Sequence, residues 1–394
     1  MEKNIETKYI WYTHIASFLF FLSVNGQLPL LSPYATETLG ASPSIVGGLF
    51  SITFIVAIIF RPFCGFIIDK GYKFEALMLG CLLAGLTSIG MYYSTDLWTF
   101  ALCRVTQGIA LAAFLPASIS TALDMASEKH VGEVLGWRGT MFGISQVIGP
   151  SVGAYLGELL DFRTVFGITL FPFIAAFIIA YTTKKKITLP IMHETGNKVR
   201  KSDIVNANFI ISLVATGLYS MAYNALLTFL PVFYVQRGLG VIVYGFYSGI
   251  AGGTGILARV VGGKQADIKG PLCIALIGVS IISVAHVGLY FFRYPPLVYL
   301  IAAIAGFGIG LWMPGVQLLG FQKTPPQLRG LCSSIYFISF DAGSLIGPML
   351  FGYFIEAQGY TIMFLLAPLI FFMSQITILV GYFVNSHKAN KPQK

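Results

Sequence analysis

Arg61-Pro62-Phe63-Cys64-Gly65-Phe66-Ile67-Ile68-Asp69-Lys70 closes a long apolar run and sets how the rest of the chain is read. On a helix, Arg61, Gly65 and Asp69 stand four apart and line one face. The same triplet returns as Arg259, Gly263 and Asp267, again at the end of an apolar run, 198 residues later in a chain of 394. One half therefore reads as a copy of the other. At the same offset Pro33 pairs with Pro231, Gly47 with Gly245, Gly108 with Gly306, Pro116 with Pro314, and Gly149-Pro150 with Gly347-Pro348. Glycine matches come cheaply in a chain with 43 glycines. Proline and arginine matches over five helices without a gap do not.

Hydrophobic residues make up 56% of the chain and charged residues only 10%, against about 25% charge in a soluble domain. A bilayer span needs roughly 20 apolar residues. That length places spans at 9–32, 43–68, 75–94, 98–123, 134–157, 162–183, 207–235, 242–266, 271–292, 297–321, 328–355 and 360–385. The expected fold is an all-α membrane protein, with twelve transmembrane helices in two pseudo-symmetric six-helix bundles. Its parts are a first bundle (1–183), a cytoplasmic linker (184–206), a second bundle (207–385) and a short cytoplasmic tail (386–394). Six spans per half is an even number. The copies then point the same way, and a substrate site is expected between them near the midplane.

The net charge of +9 first raises nucleic acid as a partner. The placement of the charge argues otherwise. With both termini cytoplasmic, 18 of the 25 Lys and Arg fall on the inner side and three on the outer side. This satisfies the positive-inside rule and leaves no call for nucleic acid. Five cysteines lie in apolar segments at no metal-ligand spacing. No disulfide framework, metal site or cofactor is expected. Walker-type loops and nucleophile elbows are missing from the sequence too, which argues against an enzyme or an ATP-driven pump.

The motifs resemble the major facilitator superfamily over the whole chain, and specifically its twelve-span drug/proton antiporter branch. After span 2 that family carries Gly-x-x-x-Asp-Arg/Lys-x-Gly-Arg/Lys-Arg/Lys, matched here by Gly65, Asp69, Lys70 and Lys73, with Tyr72 and Phe74 departing. Its span 4 signature Arg-x-x-Gln-Gly is met by Arg104, Gln107 and Gly108. Its span 5 antiporter signature is met by Gly143, Gly149, Pro150 and Gly153, with Ala154 departing. The resemblance implies a monomeric secondary transporter in the cell membrane that exchanges a small molecule for protons. It further implies a cytoplasmic gate at Arg61, Gly65, Asp69, Lys70 and Lys73 and at Arg259, Gly263 and Asp267. An uptake symporter of the same fold is the alternative, and the span 5 signature weighs against it.

Charges at depth in a bilayer are costly and are functional candidates by default. Of the sixteen acids, Asp341 is the one that falls near the middle of a span, and its counterpart in the first half is Gly143. Arg104 is the other deep charge, and its counterpart is Ala302. An apolar medium favours the neutral form of a carboxyl group, which is the property a proton carrier needs. Asp341 and Arg104 are therefore the candidates for proton coupling, with a substrate-carboxylate clamp the other reading of Arg104. Arg138 lies nearer the end of its span. Polar or aromatic cavity candidates are Asn25, Gln27, Gln107, Tyr223, Asn224, Trp312, Gln317 and Tyr336. Span 1 holds no acid, unlike several cationic-drug exporters of this branch. The expected substrate is a small amphipathic or anionic/zwitterionic molecule, and the deep arginines favour the anionic or zwitterionic reading.

Overall fold

The computed structural model describes residues 7–125, 131–187, 206–321 and 329–389. These residues are helical apart from short connections. In chain order the helices are α1 (Thr7–Pro33), α2 (Pro43–Asp69), α3 (Lys73–Tyr93), α4 (Leu97–Met125), α5 (Val131–Leu159), α6 (Phe162–Ile168) and α7 (Leu170–Lys184). They continue as α8 (Ala207–Gln236), α9 (Ile242–Lys269), α10 (Pro271–Phe291), α11 (Leu297–Phe321), α12 (Arg329–Gln358) and α13 (Met363–Ala389). The twelve expected spans are all present. Ten helical stretches are long and apolar enough to cross a membrane. Neither α5 nor α9 is among them, although they run 29 and 28 residues. Both carry polar and charged side chains, Arg138 and Arg259 among them, that lower their hydropathy.

The sixth span is divided into α6 and α7 at Thr169. Asp161 caps the start of α6, accepting from the Thr164 backbone N–H at 2.9 Å and from its hydroxyl at 2.5 Å. The Thr164 hydroxyl and backbone N–H together hold the Asp161 carboxyl below its ordinary value. At the break, the Thr169 carbonyl accepts from the Ser23 hydroxyl at 3.0 Å, and the Thr169 hydroxyl donates back to the Phe166 carbonyl. Side chains inserted at a helix's backbone ladder are a recognised cause of such breaks.

Helix packing divides the chain into two units, Met1–Thr195 with Leu230–Gly249, and Gly196–Phe229 with Ile250–Lys394. The expected linker 184–206 falls mostly at 188–205, outside the described residues. The ends of α8 and α9 flanking their connecting loop pack within the first unit. Ser151 on α5 donates to the Gly245 carbonyl at 3.0 Å, and the Glu158 carboxylate accepts from the Val241 N–H at 2.5 Å. At Gly240 the φ of +72° is open to glycine at little cost, and the Glu158 carboxylate lies 2.3 Å from where a Cβ would stand.

Within each unit duplicated glycines hold close helix crossings. A Cβ on Gly108 of α4 would lie 2.7 Å from the Thr53 carbonyl of α2. Its copy Gly306 of α11 faces Ala251 of α9 in the same way, at 2.0 Å. Gly80 of α3 lies under Phe114 of α4, and its copy Gly278 of α10 lies under Trp312 of α11. One interhelical hydrogen bond recurs in kind, at an offset of 199 rather than 198 residues. Asn25 of α1 donates to Ser145 of α5 at 3.1 Å, and Asn224 of α8 donates to Ser344 of α12 at 2.8 Å. Lipid gives apolar side chains little reason to cluster, so small-residue contacts and shared hydrogen bonds carry helix association.

These crossings predict which glycines tolerate a methyl. Gly306→Ala and Gly108→Ala overpack their crossings at about 1–3 kcal/mol each. Gly263→Ala meets open space and gains the helix propensity of alanine. In detergent, Gly306→Ala and Gly108→Ala are expected to lower the thermal unfolding midpoint, while Gly263→Ala leaves it unchanged or raises it. Equal midpoints for all three would refute the packing account.

Candidate functional site

The first unit builds a buried polar chain across four helices. Arg104 on α4 is 2% exposed. Its Nε donates to the Leu49 carbonyl of α2 at 3.2 Å, its Nη1 donates to Gln107 Oε1, and its guanidinium lies 4.8 Å from the Phe50 ring centre. Gln107 Nε2 donates to Gln27 Oε1 of α1 at 3.2 Å. Gln27 Nε2 in turn donates to Ser88 of α3 at 2.9 Å and to Thr169 at 2.6 Å. Each of these partners of Arg104 is neutral, so dipoles and a ring face offset the cost of its burial.

Nearer the start of α1, Arg138 on α5 donates from Nε and Nη2 to Ser118 of α4, at 3.2 and 2.7 Å. The buried His14 ring lies within electrostatic reach of Arg138, and its Nε2 finds no hydrogen-bond partner. A cavity of about 320 Å³ opens in the same unit, lined by Tyr34, Thr38, Gly157, Asp161, Phe162 and Arg163. No expected site residue lines it.

In the second unit Asp341 on α12 is buried, 4% exposed, and is engaged by a neighbouring group. Tyr219 and Tyr223 on α8 stack with centroids 5.6 Å apart, and Trp312 on α11 lies 5.7 Å from Tyr219. Tyr336 on α12 is buried, with Thr216 and Gln317 close enough to influence its hydroxyl. Arg259 on α9 lies within electrostatic reach of Tyr219 and Tyr223.

These placements qualify the expected cavity set. Asn25, Gln27, Gln107, Asn224, Trp312 and Tyr336 are buried, and the four amide side chains among them make hydrogen bonds to neighbouring groups. In this conformation they brace helices rather than face an open space. Tyr223 and Gln317 are half-buried. The clamp reading of Arg104 meets the same obstacle, since its donors point at Leu49 and Gln107.

The expected gate residues part company. Asp69 and Lys70 are exposed at the end of α2, with Lys70 Nζ 4.2 Å from the Phe66 ring centre. A carboxylate at a helix C-terminus meets the unfavourable end of the dipole. The dipole of its own helix therefore gives Asp69 no stabilisation there. Gly65 and Gly263 have open space beside them, and Arg61 is engaged by a partner. The Asp267 side chain lies outside the described residues. Eight residues of helix put Arg259 about 12 Å along the axis from Asp267. Lys73, the remaining gate candidate of that loop, stands apart from Asp69 and Lys70 in being buried. It lies at the start of α3 and forms an ion pair with Asp124, buried in the last turn of α4. The expected span 4 stopped at residue 123, one short of Asp124, so this acid passed for a loop residue. In the antiporter motif, Gly143 is buried. Gly149 packs on Asn25, and Gly153 meets the Gly26 carbonyl where a Cβ would lie 1.9 Å away.

The family model described as Major Facilitator Superfamily matches residues 13–348. The chain belongs to the major facilitator superfamily. Among curated relatives, it is 24% identical over 365 residues to "Multidrug resistance protein MdtG" of Salmonella paratyphi A, covering 89% of this chain and 90% of that protein. It is 26% identical over 357 residues to the protein of that name from Yersinia enterocolitica, covering 86% and 85%. Among solved structures, a bacterial homologue of the human lysosomal transporter Spinster superposes with a TM-score of 0.81 at 13% identity, covering 96% of this chain and 97% of that one. The nucleoside transporter NupG superposes with a TM-score of 0.75 at 15% identity, covering 95% and 99%. These two likenesses concern the fold. The superfamily assignment makes the chain a multi-pass membrane transporter of a small molecule, and not an enzyme.

The Lys73–Asp124 pair gives a test of its own. Removing one partner of a buried pair leaves a bare charge and costs about 3–5 kcal/mol, whereas replacing both with apolar groups is close to neutral. Lys73→Met alone is expected to lower the unfolding midpoint sharply, and Lys73→Met with Asp124→Leu to restore most of it. Additive losses in the double variant would show that the pair is not coupled.

Proposed function

We propose that this chain is a proton-coupled exporter of a small amphipathic molecule that is anionic or zwitterionic, working by alternating access. The observation that carries the direction of transport is the likeness, over nearly nine-tenths of the chain, to relatives named as multidrug resistance proteins. The matches to the antiporter signature at Gly143, Gly149, Pro150 and Gly153 support the same direction. In this reading the chain is a monomer in the cell membrane with both termini in the cytoplasm, as the distribution of Lys and Arg favours.

Asp341 is the proposed proton carrier. It is a buried acid, and the first half has Gly143 in its place. One elementary charge moving down about 100 mV supplies roughly 2.3 kcal/mol. Exchange of one or two protons therefore suffices to drive export against a moderate gradient. Arg104 is the proposed second member of the coupling pair, with its bonds to Leu49 and Gln107 as the arrangement that a change of state would alter. Asp69, Lys70 and Arg61 are the proposed cytoplasmic latch, and Arg259, Gly263 and Asp267 its weaker copy, since Ile268 replaces the lysine.

Reconstituted vesicles with an imposed pH gradient test the proposal. Export of a transported anion is expected to follow the gradient, and Asp341→Asn is expected to abolish gradient-driven flux while leaving the protein folded. Flux indifferent to the gradient and to Asp341→Asn would refute proton coupling. Net uptake driven by the same gradient would reverse the assigned direction.

A further inference from the structure

We propose that Arg259, together with Tyr223 and the aromatic cluster behind it, binds the anionic end of the transported molecule, and that this molecule carries a flat aromatic body beside its negative charge. The proposal deepens the transporter reading and rests on it for access to a substrate; it takes Arg259 out of the latch copy, about 12 Å along the helix from Asp267, and leaves Gly263 and Asp267 there.

The side of α9 on which Arg259 stands is the first argument. Leu257, Val260 and Ile268 are more than 70% exposed and, with Val261, form an apolar stripe suited to lipid. Each residue turns a helix by about 100°, so Arg259 points about 200° away from Leu257. The guanidinium therefore leaves the helix on the side facing away from the lipid stripe. Its base is pinned where α9 crosses α11, because a Cβ on Gly310 would come within 2.9 Å of the Arg259 backbone nitrogen. Gly263, one turn further on, has open space beside it.

The second argument is an unanswered donor. Arg259 Nε is buried and has no hydrogen-bond partner among the described residues. A buried donor on a charged group is costly to leave unmet. The contrast with Arg104 is instructive, since there Nε reaches a backbone carbonyl and Nη1 reaches an amide oxygen. The first unit thus satisfies its deep guanidinium internally, and the second leaves a place for an acceptor from outside.

The third argument is the surrounding chemistry. The stacked Tyr219–Tyr223 pair lies within electrostatic reach of the guanidinium, and Trp312 and Phe371 lie 5.7 and 5.8 Å from Tyr219. Tyr219 and Trp312 are sealed at 2% and 1% exposure, whereas Tyr223 and Arg259 are half-buried. The accessible edge of the cluster is therefore a phenol within electrostatic reach of a guanidinium. A guanidinium meets a carboxylate or phosphate with paired donors, a phenol adds one more, and the aromatic face accepts a flat ring.

Binding to the purified full-length protein tests this without any gradient. The probes are 2-naphthoate and 2-naphthylmethylammonium, which share a ring and differ in charge, followed by tryptophan fluorescence and by the shift in unfolding midpoint. The wild type is expected to bind the naphthoate and to be stabilised by it, and to bind the ammonium compound at least tenfold more weakly. Arg259→Gln is expected to lose at least tenfold in naphthoate affinity, with Arg259→Lys and Tyr223→Leu showing smaller losses. Should Arg259→Gln fail to fold, Arg259→Lys and Tyr223→Leu carry the test. Folded variants that bind naphthoate as the wild type does would overturn the assignment, as would a wild type that prefers the ammonium compound or binds neither. A failure of proton coupling in vesicles would leave this binding result standing, so the two proposals fail separately.

Discussion

A hydrogen-bonding group inside a bilayer has no water to turn to, and each one left unmet costs several kcal/mol. That constraint organises this chain more than any apolar contact does. The polar side chains of the first unit join helix to helix: Asn25 to Ser145, Gln27 to Ser88 and Thr169, Gln107 to Gln27, Arg138 to Ser118. The spans stay apolar enough to insert, and the few polar groups they carry become the fixed points of packing. Glycines do the complementary work by letting backbones approach at the crossings, as at Gly108, Gly153 and Gly306.

The repeat was legible because membrane helices punish slippage. A glycine one residue out of place turns by about 100° and leaves the crossing. The 198-residue offset survives in the copied contacts themselves, with Thr53 and Gly108 in one unit and Ala251 and Gly306 in the other. Helix ends were legible for the same reason. The expected 271–292 appears as Pro271–Phe291, and its counterpart α3 is Lys73–Tyr93, the same 21-residue length at the same offset.

What the sequence hid were pairings. Hydropathy marks that Lys73 and Asp124 are polar and near span ends, but not that two helices bring them together in a buried place. The break at Thr169 did carry a signal, Pro172, which lacks the N–H that would bond the Ile168 carbonyl four residues back. Sequence could not show that the Ser23 hydroxyl of another helix meets the Thr169 carbonyl there. Cavity candidates were misjudged by a related route. A polar residue in a span looks like a lining residue, yet Gln27 is 1% exposed and its amide is bonded to Ser88 and Thr169. Sequence counts polar groups, and only packing says which of them have already found each other.

Duplication also supplies a control that a single bundle lacks. Where the first unit has Arg104 the second has Ala302, itself fully buried, and where the second has Asp341 the first has Gly143. Both small residues are buried. The frame therefore does not require a charge there, and an alternative that folds is present in the same molecule. A charge kept at depth costs insertion energy of about 2.5–3.5 kcal/mol, which its neutral counterpart avoids. Helix packing alone gives no return on that cost. Arg104 and Asp341 are thus charges that the shared frame does not repeat, and that asymmetry is what singles them out for the proposed coupling.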